Sequence, residues 1–142
     1  MKITLGEAVN YYNVLAEVTS AKLKLPARLS LAINRNLSKL GKEVEIYEKE
    51  RTALLTEAAE KDGDGKAMMA DRVVGGKKQQ EYIIQEEKKE KLFQDIRELL
   101  EMEIDAEMTM VEMDQIYRID EDARFDPLTT AQVNGMKFMF KE

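Results

Sequence analysis

Apolar positions recur along the first half of the chain in steps of three and four, and each such run marks one face of a helix. The first run opens at Thr4. Thr4 and Glu7 have the spacing of a capping box, in which each side chain takes the other residue's backbone N–H. Leu5, Ala8, Val9, Tyr12, Leu15 and Ala16 then share a face, so a helix is expected over about 5–22. Pro26 ends that stretch and suits a new first turn. A second helix is expected over about 26–60. Its seam is Ile33, Leu37, Leu40, Val44, Tyr47, Arg51, Leu54 and Ala58, alternating steps of four and three. A seam of that period needs a partner helix along it.

The pattern breaks over 61–76, where Asp62-Gly63-Asp64-Gly65 and Gly75-Gly76 are turn sequences. Lys66 to Val74 between them reads as a loop or a short β-hairpin. A third helix is expected over about 78–107, with Tyr82, Ile83, Ile84, Leu92, Phe93, Ile96, Leu99, Leu100 and Ile104 on its apolar side. Its segment Gln85–Lys91 has no apolar residue and relies on acid–base pairs three and four apart. Met108 and Met110 alternate as in a strand. Thr129 and Gln132 form a second capping box, followed by Val133, Met136, Met139 and Phe140, so a short helix is expected over about 130–140. The expected fold is a mainly α single domain over 1–142. It is a long antiparallel helical hairpin with an N-terminal and a short C-terminal helix, and a small β element at 66–74 or 108–119. Helix three would run back along helix two, setting Phe93 near Tyr47.

Composition narrows the chemistry. The 142 residues are 35% charged, above the usual quarter, and contain no Cys, His or Trp. Disulfides, thiolate metal sites and Ser–His or Cys–His pairs are excluded, and so is the usual near-neutral general base. Residues 1–21 lack the basic start and apolar core of a secretion signal, and no apolar run approaches a membrane span. A soluble, cytoplasmic protein is the expectation.

The net charge of −6 is unevenly spread. Residues 22–42 hold Lys22, Lys24, Arg28, Arg35, Lys39 and Lys42 and no acid, whereas 101–126 hold ten acids against Arg118 and Arg124. The simplest expectation is that the two segments lie together in the fold. The sharper alternatives are a basic patch for an acidic partner, or an acidic surface imitating nucleic acid. The basic run lacks aromatics for stacking on bases, so nucleic acid is not an expected partner.

Glu60 to Asp71 has oxygen-bearing residues at the spacing of an EF-hand loop. Its first position is Glu and its last is Asp, too short for a bidentate ligand, so a plain Asp-Gly turn is favoured over a cation site. Glu86 with Glu90 and Glu101 with Asp105 stand four apart, but such pairs usually belong to a solvated helical face. Gly75-Gly76-Lys77-Lys78 lacks the rest of a phosphate loop. Nine methionines serve as core filling or as an adaptable binding surface.

Several stretches carry a family resemblance. They are Ile33-Asn34-Arg35-Asn36-Leu37-Ser38-Lys39-Leu40, Tyr47-Glu48-Lys49-Glu50-Arg51, Ala59-Glu60-Lys61-Asp62-Gly63-Asp64-Gly65, Glu98 to Glu103, and Leu128 to Val133. Together they resemble a family of small bacteriophage-encoded helical proteins of unknown function, over most of residues 25–142. The resemblance implies expression in a bacterial cytoplasm. It supplies no catalytic residue, and the first 24 residues lie outside it.

The expected function is a non-enzymatic one, without cofactor or metal. The chain is expected to bind a protein partner, phage or host, as an assembly adaptor, chaperone or accessory factor. Candidate contacts are Asp62, Asp64, Met68, Met69 and Arg72 at the hairpin tip, and Met108, Met110 and Met113 in the methionine-rich segment. The alternatives are an inhibitor of a host-defence nucleic-acid enzyme acting by acidic mimicry, and a helical oligomer that buries a small molecule using Arg28 or Arg35. Self-association is left open.

Overall fold

The computed structural model describes residues 1–141. It is 57% helical, with five α-helices and three two-stranded sheets among the described residues. The mainly α expectation therefore holds. Internal contacts divide the chain, expected as one domain, into two compact units. Unit 1 comprises Met1–Glu45 and Met102–Glu142, and unit 2 comprises Ile46–Glu101.

In unit 1, strand β1 (Lys2–Thr4) leads into helix α1 (Leu5–Ser20). The capping box forms as expected: the Glu7 N–H donates to Thr4 Oγ1 at 3.1 Å, and the Thr4 N–H donates to Glu7 Oε1 at 3.0 Å. Helix α2 (Ala27–Ala58) begins after buried Pro26. Of its expected seam, Ile33, Leu40, Tyr47 and Ala58 are buried, and Leu37, Val44, Arg51 and Leu54 are half-buried. The core of unit 1 is built from Leu15, Leu29, Leu40, Met136 and Met139, with Ile3, Ile33 and Val111 around them. Strand β4 (Glu103–Asp105) pairs antiparallel with β1, and β5 (Val111–Glu112) pairs parallel with β6 (Phe140–Lys141). Helix α4 is Asp114–Glu121 and helix α5 is Thr130–Gly135.

Unit 2 contains the end of α2, strands β2 (Met69–Val74) and β3 (Lys77–Tyr82), and helix α3 (Lys89–Glu101). Its buried apolar residues are Tyr47, Ala58, Ala59 and Leu92.

Several sequence expectations need correction. The third helix does not span 78–107. Residues 77–82 are a strand, a 3-10 turn covers Glu86–Lys88, and α3 ends at Glu101. Lys, Gln and Glu favour a helix locally, but the Gly75-Gly76 turn and the β-branched Val73-Val74 beside it set a strand register that overrides the preference. Phe93, assigned to an apolar face, is 57% exposed. Glu101 and Asp105 do not share a helix, because β4 intervenes. Of residues 108–119 only Val111–Glu112 are strand, and α4 takes the rest from Asp114. The C-terminal helix stops at Gly135. A 3-10 turn (Lys137–Met139) follows, and β6 ends the described chain.

Within unit 1 the basic and acidic segments do meet, through backbone groups. The Lys24 N–H donates to Asp126 Oδ2 at 2.7 Å and the Asp126 N–H to the Lys24 carbonyl at 2.8 Å. Lys39 Nζ donates to the Glu107 carbonyl at 2.9 Å. The closest link is buried Asn36. Its Nδ2 donates to the Thr109 carbonyl at 3.0 Å, and its Oδ1 accepts the Thr109 N–H at 2.6 Å. One side chain thus replaces a neighbouring strand for the extended segment before β5.

Candidate functional site

The most exposed regular structure in the chain is the β2–β3 hairpin. Six residue pairs run from Met69–Tyr82 to Val74–Lys77, a ladder about 20 Å long. The loop is Gly75-Gly76, with φ of +58° and +79°. Two successive residues at positive φ form the type I′ turn, whose twist matches the flanking strands and which glycine adopts without strain.

All residues of both strands are exposed except Tyr82, which is half-buried. Neither face of the hairpin is therefore covered. Val73 is 67% and Val74 44% exposed, beside Lys77 and Lys78 at the turn. Arg72 donates to both oxygens of Glu81 at 3.1 and 3.2 Å, a diagonal cross-strand pair.

The base of the hairpin explains how it is held. Glu60, Met68 and Ile83 form a closed ring of backbone hydrogen bonds. The Glu60 N–H donates to the Ile83 carbonyl at 2.6 Å, the Ile83 N–H to Met68 at 2.9 Å, and the Met68 N–H to Glu60 at 2.8 Å. Ala59 also bridges Ile84 antiparallel. The hairpin therefore continues past β2 into residues 58–60, with 61–67 looped out of the ladder.

The free carbonyls at the end of α2 are closed by Lys61 just beyond it and by the chain returning from the hairpin. Lys61 Nζ donates to the Thr56 carbonyl, Lys88 Nζ to Glu57 at 3.3 Å, the Gln85 N–H to Ala58 at 2.9 Å, and Gln85 Nε2 to Ala59 at 3.0 Å. No glycine is needed to cap this helix, because the strand leaving the hairpin does so.

Five sequence-derived contact residues gather here. Asp62 and Asp64 lie in the looped-out turn, Met68 is in the ring, and Met69 and Arg72 are on β2. Asp62 Oδ1 accepts the N–H groups of Asp64 (2.9 Å) and Lys66 (3.0 Å), so its carboxylate closes the turn. No group of three or more acidic residues able to hold a metal occurs among the described residues.

Met108, Met110 and Met113 belong to unit 1. Met108 and Met113 are half-buried and Met110 is exposed. Met110 lines a cleft of about 220 Å³ with Arg28, Leu31, Val111 and Gln115. That volume is below the usual 300 Å³ lower bound for small-molecule sites. Met113 and Tyr117 line another hollow with Val133, Lys137 and Phe140, of about 560 Å³. Arg35, the second arginine considered for a ligand, is exposed on α2.

The acidic segment is partly engaged within the protein. Arg124 grips both oxygens of Asp122 through its side chain, at 2.6–3.1 Å, and adds its own N–H. These bonds hold the Asp122 carboxyl at about 2. Asp126 is engaged by Lys24.

Sequence reasoning missed Lys77, Gln79 and Glu81 as strand residues, although two glycines directly after two valines were the available signal. Among the described residues no helix is long and apolar enough to cross a membrane. The sequence matches no protein-family model, and neither a curated protein nor a solved structure matches it.

Proposed function

We propose that this is a non-enzymatic phage protein that recognises a protein partner, phage-encoded or host, through the β2–β3 arm. One observation carries this: the arm is exposed on both faces and presents Val73, Val74, Met68 and Met69 beside free strand edges. A two-stranded hairpin gains little from packing when it buries neither face. Exposed apolar side chains next to unpaired strand edges are surfaces that another protein covers. Lys77 and Lys78 flank the valines, which favours an acidic partner surface at the turn.

In this proposal the end of α2 and helix α3 form the antiparallel helical hairpin that carries the arm. Gln85 and Lys88 on the α2 carbonyls begin that return. The resemblance to small phage proteins adds the setting, a bacterial cytoplasm, and the role of assembly adaptor, chaperone or accessory factor.

The test compares the wild-type chain with the double variant Val73→Asp, Val74→Asp as baits in phage-infected cells, with far-UV circular dichroism to confirm equal helix content. A partner held by the wild type and lost by the variant is the expected result. A partner held equally by both, or none held by either, would overturn the proposal.

A further inference from the structure

The outer edge of β3 is self-complementary, and we infer that a second copy of this chain pairs with it about a twofold axis. The inference rests on β2–β3 being the interaction arm and names what that arm takes along its edge.

The sheet containing β2 and β3 has two strands, so its outer edges carry no further strand among the described residues. The pair Val74–Lys77 closes the two-residue turn and exchanges both of its hydrogen bonds. Alternate residues then behave alike. Lys77, Gln79 and Glu81 turn their backbone groups toward β2, whereas Lys78, Gln80 and Tyr82 turn theirs outward. The bond from Ile83 N–H to the Met68 carbonyl continues the inward series.

Symmetry restricts how such an edge can meet its copy. A twofold axis perpendicular to the sheet keeps every side chain on its own face. Side chains also alternate along a strand, so one residue must sit opposite itself. With Gln79 on the axis, Lys78 exchanges backbone hydrogen bonds with Gln80 of the second copy. Lys77 then stands opposite Glu81 of the second copy, and the symmetric pair repeats the match. These are non-hydrogen-bonded positions, where Cα atoms approach to about 4.5 Å and side chains lie closest. Two opposite-charge pairs and a central glutamine pair result. Glu81 already holds Arg72 on that face, so each ion pair extends into a row of three charges. Tyr82 falls opposite Gly76 of the second copy.

The neighbouring registers are worse. Lys78 on the axis faces itself, and Gln80 on the axis gives no ion pair. The β2 edge fails for the same reason, because its central registers set Asp71 against Asp71 or Arg72 against Arg72. Like charges directly opposite are destabilising. The four-stranded sheet therefore has the order β2-β3-β3-β2. Edge pairing alone buries less area than a stable dimer needs, so the dissociation constant should lie between about 1 µM and 1 mM.

The test is sedimentation equilibrium on the full chain at low salt, from roughly 5 to 500 µM. The wild type should dimerise. Lys77→Glu and Glu81→Lys should each lower self-association at least tenfold, since each sets like charges opposite. An equimolar mixture of the two variants should recover it, because the mixed dimer restores both ion pairs. Nuclear Overhauser contacts between Arg72 and Gln79 in each variant check that the hairpin itself persists. A wild type that is monomeric throughout, or a mixture no better than its components, overturns the inference. If the chain is monomeric yet still loses a protein partner through the valine substitutions above, self-pairing fails while the arm's role stands.

Discussion

Replacing Asn36 tests how unit 1 is held. The side chain is fully buried and serves both backbone groups of Thr109, with a further 3.6 Å contact from Nδ2 to Met139 Sδ. Asn36→Ala leaves one part-buried donor and one part-buried acceptor, both on Thr109, without partners. An orphaned buried group costs about 1–3 kcal/mol, so two part-buried ones should cost roughly 2–4 kcal/mol, the lower part of the summed range. That is a large part of the 5–15 kcal/mol typical of a native domain. Asn34→Ala, on the exposed side of the same helix turn, should stay within about 0.5 kcal/mol. The chain lacks Trp, so urea unfolding is followed by circular dichroism at 222 nm, with Thr109 amide exchange as the local readout. Asn36→Asp adds a sign. A carboxylate still accepts the Thr109 N–H but has no proton for the Thr109 carbonyl, so its folded pKa rises above the unfolded value near 4. Stability is then retained below pH 4 and lost as pH rises through the folded pKa. A loss below about 1 kcal/mol for Asn36→Ala, with Thr109 still protected, would refute the clamp.

Gly135→Ala would set a Cβ 2.9 Å from both γ-carbons of Val14, at the packing of α5 on α1. It should cost about 1–3 kcal/mol by thermal unfolding, and Val14→Ala in the same chain should recover part of that. Carbon-13 titration should place the Asp122 carboxyl at about 2, depressed first by the Arg124 side chain and then by the Arg124 N–H. Arg124→Gln should return it toward 3.8. Because the folded value is the lower one, this interaction supports the fold above the unfolded pKa and is lost as pH falls through about 2.

Helices α1 and α2 were legible because capping boxes, Pro26 and a three–four apolar period are local signals, and their ends fall within two residues of the expected ones. The second capping box was legible too, but the helix behind it breaks at Gly135. The third helix was misread because Lys-Lys-Gln-Gln-Glu is a helix-forming composition, and a strand register set across the Gly75-Gly76 turn overrides it. β1 and β4 carry three residues each, too few for a period. Asn36 looked like any polar residue beside the seam. Its role depends on Thr109, 73 positions away. The tip residues Asp62 to Arg72 were placed together because turn chemistry is local. The β3 edge could not be read until its strand partner was known.

The arm's stability gradient ties these observations to a measurement. Neither face of β2–β3 is covered, so its order must come from its two ends, the glycine turn and the Glu60–Met68–Ile83 ring. Local opening should therefore be easier along the ladder than at the ring. In dilute protein the amides of Glu60, Met68 and Ile83 should exchange slowest in the arm. Gln79 and Glu81, bonded to β2, should be intermediate. Lys78 and Gln80, turned outward, should exchange near the rate of an open chain. Raising the protein concentration should slow Lys78 and Gln80 while leaving Gln79 far less changed, because edge pairing supplies partners only to the outward groups. Slowing shared equally by all residues of the arm would point to general tightening and would contradict edge pairing. Slowing confined to Asp71 and Val73 would move the pairing to the β2 edge, where the charges oppose it.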